Sequence, residues 1–282
     1  MTPRPQRSTA LAAALVASAL LGGCQTTPAP PAAAPPPTDP AVVGEFRPGS
    51  GYVNGYLDRK LLPDSLALLP PAPAPGSALA AADLATYRAT RLAPDSARWK
   101  QAAADSVLRF PAAADAFSCA LDMPVSAAGT PHLNMLLRRT MLDAGLATYR
   151  AKDHYQRPRP FVVLNEPLCT PAEQASLSKD GSYPSGHAAL AWAWALVLAE
   201  LAPDKAPVLL ARGIDFGQSR VVCGVHWQSD VDAGRLMGAA TVARLHADPV
   251  FIAQAAAARS EIDSARRRGL RATLACPAPT LP

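Results

Sequence analysis

The run AALAWAWALVLAEL, residues Ala188–Leu201, decides the fold of this chain. Apolar residues occupy nearly every position instead of one face, and Glu200 is its only charged residue. This pattern predicts a central helix that is buried on several sides. The run is too short for a membrane span, which needs about 20 apolar residues, so we expect a core helix.

The sequence around this run also favours helices. Apolar residues recur at helical spacing in residues 77–91, 95–106, 131–151, 207–212, 226–247 and 251–268. Strand signals are nearly absent, since Val221–Val222 is too short to form a strand alone. Alanine dominates the apolar residues, which favours close-packed helices over sheets. We therefore predict an all-α fold, with one helical-bundle domain over residues 44–268 and a C-terminal tail over residues 269–282.

The composition indicates a folded chain without a strong charge bias. Of 282 residues, 49% are hydrophobic and 17% are charged, which is enough for a sizeable core. The 27 basic and 22 acidic residues give a net charge of +5, and no long run of Lys and Arg occurs. We therefore expect no nucleic-acid partner. Solenoid repeats, GxGxxG and Walker patterns are also absent from the sequence.

The N-terminus resembles that of an exported lipoprotein. Arg4 and Arg7 precede an apolar stretch, and the sequence LGGC that ends at Cys24 resembles the lipobox of bacterial lipoproteins, whose cysteine is lipidated. Gln25 implies outer-membrane sorting by the same resemblance. We predict a signal peptide over residues 1–23 and a periplasmic protein that meets the membrane only through a lipid anchor at Cys24. An ordinary cleaved signal is the alternative.

Two proline clusters and the remaining cysteines complete the organisation. Residues 24–43 are rich in Pro and Ala and predict a semi-stiff tether, whereas Pro63–Pro75 contains leucines and predicts a loop folded over the body.

An even number of cysteines remains in an exported chain, which predicts one or two disulfides among Cys119, Cys169, Cys223 and Cys276. The sequence leaves three pairings open. The cysteine spacing does not match a zinc site.

The first of three polar motifs is KDHYQRPRP, which begins at Lys152 and ends at Pro160. Each proline disfavours helix for its predecessor, so the chain leaves a helix here in an extended conformation. Lys152, Arg157 and Arg159 could therefore converge on an anion. A solvated basic face at a helix C-terminus is the alternative.

The second motif is GSYPSGH, which ends at His187 directly before the core helix. Ser185 and Gly186 fall in the first turn, where free backbone N–H groups and the helix dipole favour an anion. His187 could deliver a proton to a bound group. The alternative is a plain helix cap with a buried core histidine.

The third motif joins Ser219 and Arg220 to His226 and Asp230. The spacing of four predicts that His226 and Asp230 share one helix face, where the carboxylate fixes the tautomer of the imidazole. That arrangement suits a nucleophilic histidine, and the planar guanidinium of Arg220 suits phosphate oxygens. A surface His–Asp pair is the alternative.

Together these motifs resemble the signature of the phosphatidic acid phosphatase type 2 superfamily, which reads Lys-x6-Arg-Pro, Pro-Ser-Gly-His and Ser-Arg-x5-His-x3-Asp. Every defined position is filled, by Lys152, Arg159, Pro160, Pro184, Ser185, Gly186, His187, Ser219, Arg220, His226 and Asp230. The stretches AKDHYQRPRPF, LSKDGSYPSGH and GQSRVVCGVHWQSDVDAGR are similar to the periplasmic class A non-specific acid phosphatases. This resemblance runs from Gly44 to about residue 265. Ala188 departs from it, since that family usually carries Thr there.

The resemblance implies a metal-independent acid phosphatase that needs no cofactor and acts on small phosphorylated metabolites. It implies that His226 is the nucleophile, that Asp230 orients it and that His187 is the general acid and base. It also implies that Lys152, Arg159, Ser185, Gly186 and Arg220 hold the phosphate. Three alternatives stay open, namely a vanadate-dependent haloperoxidase, a lipid or diphosphate phosphatase on the same site, and a non-catalytic phosphate-binding lipoprotein. The natural substrate is left open, and so is the oligomeric state, a homo-oligomer included.

Overall fold

The computed structural model describes Thr2 and residues 34–91 and 94–272. The predicted signal peptide, the lipidation site Cys24, most of the tether and Cys276 lie outside these residues. The predicted domain boundaries at both ends of the chain stay predictions.

The described residues are helical. The longer helices are α1 Ala78–Thr90, α2 Ala97–Ala104, α3 Pro131–Leu146, α4 Tyr149–Tyr155, α5 Gly186–Leu201, α6 Ala206–Val222, α7 Gln228–Leu245 and α8 Pro249–Arg267. Shorter helical segments are Pro40–Val43, Arg59–Leu61, Ser65–Leu68, Ala112–Phe117, Ser118–Leu121, Pro160–Leu164, Pro171–Glu173, Gln174–Leu177 and Pro203–Lys205. The described part of the chain contains no strand, only an isolated bridge between Glu45 and Val53. The all-α prediction is confirmed.

The core helix predicted from the sequence is α5, and it packs against α3, α6 and α7. Trp194 is buried on α5, and its indole N–H donates to the Leu137 carbonyl of α3 at 2.8 Å. On α7, a side chain at Gly234 or Gly238 would come within 2.4 Å of the Ser185 or Ala189 carbonyl oxygen of α5. Small residues therefore let these two helices approach closely, and this contact positions the ends of α5 and α7 that carry the polar motifs.

The structure corrects the predicted helix boundaries. Residues 131–151 are split between α3 and α4, and residues 207–212 are only the beginning of α6, which continues through Val221–Val222. The helix predicted over residues 226–247 begins at Gln228, because Trp227 is extended and caps its N-terminus. His226 therefore precedes the helix and does not lie on it.

Two further predictions can be compared with the described residues. The segment Pro63–Pro75 does pack on the body, since Leu69 is buried and the Tyr183 hydroxyl donates to the Pro70 carbonyl at 2.9 Å. Cys169 and Cys223 form a disulfide with their Cα atoms 4.7 Å apart, which identifies one of the predicted pairings. Among the described helices, none combines the length and hydrophobicity needed to cross a bilayer.

Candidate active site

The three motifs meet where the N-termini of α5 and α7 face the C-terminus of α6 and the chain leaving α4. The exit after α4 is extended at Arg159, as the prolines predict. The loop that leads into α5 bonds to this exit, because the Ser182 N–H donates to the Arg157 carbonyl at 2.8 Å. The Ser185 N–H donates to the Asp230 carbonyl at 2.9 Å, which joins the second motif to the third.

His226 and Asp230 are in contact, although the predicted reason was wrong. His226 lies before α7 and Asp230 in its first turn, where one carboxylate oxygen accepts the Trp227 N–H at 2.8 Å. The same oxygen lies 3.3 Å from His226 Nδ1. The helix-capping carboxylate, rather than a shared helix face, therefore holds the imidazole.

The other nitrogen of His226 faces Arg159. Arg159 Nη1 lies 3.1 Å from His226 Nε2, and since a guanidinium has only donors, Nε2 must accept. This assigns the proton of the neutral ring to Nδ1, where Asp230 accepts it. His226 is buried at 2% exposure, so its lone pair on Nε2 lies among cations and not in bulk water.

Arg159 and Lys152 are buried beside this histidine. Arg159 donates to the Val225 carbonyl at 3.0 Å and to the Asp180 carboxylate at 3.0 Å, which fixes its plane. Lys152 Nζ donates to the Gly181 carbonyl at 2.7 Å and lies 3.7 Å from the Asp180 carboxylate. Burial, and then the positive charge of Arg159, lowers the pKa of Lys152 to about 8.

Arg220 is fully buried at the C-terminus of α6, and two of its nitrogens lack a partner. Among the described residues, nothing accepts a hydrogen bond from its Nε or Nη1. Buried donors are nearly always paired in folded proteins, so an unpaired guanidinium edge is a feature of a ligand site. Burial lowers the pKa of Arg220 to about 10, which leaves it charged at neutral pH.

Ser185, Gly186 and His187 form the beginning of α5. Ser185 was predicted in the first turn, but it precedes the helix as its N-cap, since its hydroxyl oxygen accepts the Ala188 N–H at 3.3 Å. His187 is half-buried, and its Nε2 lies 3.2 Å from the Ser106 carbonyl. Since a carbonyl only accepts, Nε2 carries a proton and Nδ1 is the nitrogen that can gain or lose one.

Both histidines have pKa values well below the usual 6.5. Burial is the largest cause for each. The charge of Arg220 contributes next for His187, whereas Arg159 and Lys152 contribute next for His226. Neutral imidazoles are therefore favoured in the unliganded site, and a bound dianion would oppose the effect of the cations.

Arg157 was expected to converge on the anion with Lys152 and Arg159, and that expectation is wrong. Its guanidinium lies between two buried carboxylates, donating to Asp230 at 2.6 Å and to Asp83 at 2.8 Å. Asp83 on α1 also accepts the Ser229 N–H at 2.8 Å and so anchors the first turn of α7. The charge of Arg157 opposes the rise in the pKa of Asp230 that burial causes.

Sequence reasoning missed Asp83 and Asp105 altogether. Asp83 is an acid within an otherwise apolar helical pattern, which was the available signal. Asp105 accepts a hydrogen bond from the Ser219 hydroxyl at 2.5 Å, and Arg98 donates to that hydroxyl at 2.8 Å. The serine before Arg220 therefore helps to position the end of α6. Ala188 packs in an apolar cluster with Val221 and Val231.

Comparisons with known proteins point to one family. The family model of the PAP2 superfamily matches residues 133–251, which contain all three motifs. The non-specific acid phosphatase of Providencia stuartii is 46% identical over 207 residues, covering 73% of this chain and 84% of the relative. The acid phosphatase of Zymomonas mobilis subsp. mobilis is 42% identical over 203 residues, covering 72% and 77%. The non-specific acid phosphatase of Salmonella typhi is 46% identical over 169 residues, covering 60% and 68%.

The chain belongs to the PAP2 superfamily and, within it, to the class A type of acid phosphatases. It is therefore an enzyme of the acid phosphatase type.

Proposed function

We propose that this chain hydrolyses phosphomonoesters without a metal, through a phosphohistidine on His226. The contacts of His226 are the observation that carries the proposal. Its Nδ1 faces the Asp230 carboxylate, and its Nε2 keeps a lone pair beside the cation Arg159. A neutral imidazole with a fixed tautomer and a carboxylate behind it is an activated nucleophile.

In the first half of the reaction, the Nε2 lone pair of His226 attacks phosphorus. The bond from phosphorus to the alcohol oxygen breaks as the N–P bond forms, and its electron pair leaves on that oxygen. The alkoxide takes the proton held on His187 Nδ1. Asp230 stabilises the positive charge that the His226 ring acquires.

In the second half, neutral His187 takes a proton from water, and the water oxygen attacks phosphorus. The N–P bond breaks and its electron pair returns to His226 Nε2, which releases inorganic phosphate. His187 is protonated again by this step. Phosphoryl transfer depends mainly on positioning and on charge stabilisation, and both are supplied by fixed groups here.

The phosphate oxygens are held by Lys152, Arg159 and Arg220, with the Ser185 hydroxyl and the Gly186 N–H at the positive end of α5. The two unpaired nitrogens of Arg220 support this assignment, because phosphate oxygens would accept from them. These buried cations neutralise the dianion where other phosphatases use a divalent ion, and they would repel such an ion. That charge distribution supports metal independence.

The cellular location is part of the proposal and rests on residues outside those described. We propose that the protein is periplasmic and anchored to the outer membrane through Cys24. The Pro/Ala-rich tether decouples the anchor from the catalytic body, so Cys24→Ser should release an active protein into the aqueous phase of a detergent separation. Wild-type protein found unmodified in that phase would contradict the anchor.

A substrate panel in EDTA tests the activity. Purified protein should hydrolyse phosphomonoesters with and without chelator, and vanadate should inhibit competitively because it resembles pentavalent phosphorus. Activity lost in EDTA and restored by a divalent ion would contradict metal independence. Halide oxidation on adding vanadate, without phosphatase turnover, would favour the haloperoxidase alternative.

A further inference from the structure

A cavity of about 770 Å³ lies beside the candidate active site, and none of the catalytic steps uses it. The loop before Pro63, the second half of α3 and the first turn of α4 form its walls. The proposed catalytic and phosphate-binding residues do not line it, but two of its lining residues are close to them in the chain: Asp153 follows Lys152, and Leu190 lies one turn after His187. Tyr149 on its wall is within the electrostatic influence of both Arg47 in the cavity and Arg159 in the site.

The walls of the cavity are apolar and aromatic. Most of its inner residues are hydrocarbon or ring side chains, including Phe46, Tyr52, Leu108, Met141, Leu142 and Leu146. Such a surface offers water few hydrogen bonds, whereas an aromatic or alkyl group is stabilised there by about 25 cal/mol for each Å² of apolar surface buried. A cavity of this chemistry suits the alcohol part of a phosphomonoester.

The rim of the cavity is positively charged. Four arginines line it against a single acidic side chain, Asp153; they are Arg47, Arg59, Arg109 and Arg150. Arg150 pairs with Asp64, and Arg109 donates to the Ser50 carbonyl.

Arg47 and Arg59 differ from the other two. Both are exposed, and both guanidiniums lie 5.1 Å from the centre of the Phe46 ring. Neither forms an ion pair with another described residue in the structure. Two like charges over one ring repel each other, so an anion between them would be favourable.

We propose that this cavity is the subsite for the alcohol part of the substrate, and that Arg47 and Arg59 select alcohols that carry a second negative charge. The preferred class is then a phosphomonoester of an aromatic or apolar alcohol with a carboxylate or a further phosphate. This inference rests on the proposed function. It assigns the specificity to side chains outside the three motifs.

Paired aryl phosphates test it. The substrates are 4-carboxyphenyl phosphate and its neutral isostere 4-carbamoylphenyl phosphate, together with the corresponding 3-substituted pair. Wild-type protein should favour the carboxylate of at least one pair in kcat/KM. The double variant Arg47→Gln/Arg59→Gln should lower that preference roughly three- to tenfold, as two partly exposed ion pairs would. The loss should appear in KM, with hydrolysis of the neutral substrate unchanged.

A matched control removes the same charge elsewhere. Arg267→Gln/Arg268→Gln at the exposed end of α8 should leave hydrolysis of both substrates as in wild type, and unchanged thermal midpoints would show that the variants are folded. Equal effects of the double variant on the charged and neutral substrates would overturn the subsite. So would wild-type protein that hydrolyses both without preference. Protein that hydrolyses neither substrate would instead contradict the proposed function.

Discussion

The proposed catalytic centre and the cavity beside it place positive charge in opposite ways. In the centre, Arg159 and Lys152 are buried, and carbonyl or carboxylate oxygens fix each of them. In the cavity, Arg47 and Arg59 are exposed, and the guanidinium group of each lies over the ring of Phe46. The centre is therefore rigid and suited to one reacting group. The cavity can accommodate alcohols of different shapes.

This difference follows from what each region must bind. Buried charges are costly unless each is paired, so a preorganised centre needs the support of residues such as Arg157 and Asp83. An exposed arginine loses little hydration, so it costs little free energy, and it contributes only modestly to binding. Changes in the centre should consequently have far larger effects than changes in the cavity.

The largest effect should come from His226→Ala. This variant lacks the proposed nucleophile, and we expect kcat to fall by on the order of 10⁴-fold or more, as for other essential nucleophiles. His187→Ala should retain slow phosphoenzyme formation from nitrophenyl phosphate, because a stable leaving group needs less protonation. Steady-state and single-turnover kinetics on both variants would measure this. Equal losses with that substrate would contradict the division of roles.

Arg157→Gln should have an intermediate effect. Arg157 does not touch the phosphate, but without its charge the pKa of Asp230 should rise further and the capping carboxylate should lose a donor. We expect kcat/KM to fall roughly 10–100-fold, as for other residues that orient a catalytic group.

The pH profile separates positioning by Arg157 from simple destabilisation. The acid limb of kcat/KM should move to higher pH in Arg157→Gln, and Arg157→Lys should restore it in part. A loss of activity with an unmoved acid limb would mean that Arg157 only stabilises the fold.

The last and smallest effect that we predict concerns the pH dependence of wild-type kcat/KM. The pKa of His226 is lowered, so the nucleophile stays neutral as the pH falls below the usual 6.5. The pKa of His187 is lowered as well, so the protonated form of His187 becomes populated only below neutral pH. Both shifts place the maximum of kcat/KM below neutrality, at roughly pH 5–6.5. Lys152 should lose its charge above about 8, and KM should then rise. An optimum on the alkaline side would contradict these assignments.

The sequence predicted the parts of the molecule that depend on local pattern. The apolar run became α5, and the three motifs indicated which residues meet at the site, apart from Arg157. The contact of His226 with Asp230 was predicted for the wrong reason. The helical periodicity of the sequence does not show that Trp227 is extended and that α7 begins after it.

Contacts that form only through tertiary packing could not be predicted from the sequence. The bridge from Asp83 through Arg157 to Asp230 joins α1 to the exit from α4 and to α7, and no spacing rule connects such distant positions. The same holds for the cavity, where Phe46 and Arg47 meet Arg59, which begins the short helical segment Arg59–Leu61. Proximity in these places depends on how helices pack.

Trapping of the phosphoenzyme tests the central proposal most directly. Protein quenched in alkali within the first turnover of a radiolabelled phosphomonoester, in EDTA, should carry an acid-labile and alkali-stable phosphate on His226. The label should be absent from His226→Ala and should persist longer in His187→Ala than in wild type, because His187 activates the water that releases it. Turnover with no trapped label at His226 in wild type or in His187→Ala, or a label on any other residue, would contradict the phosphohistidine mechanism.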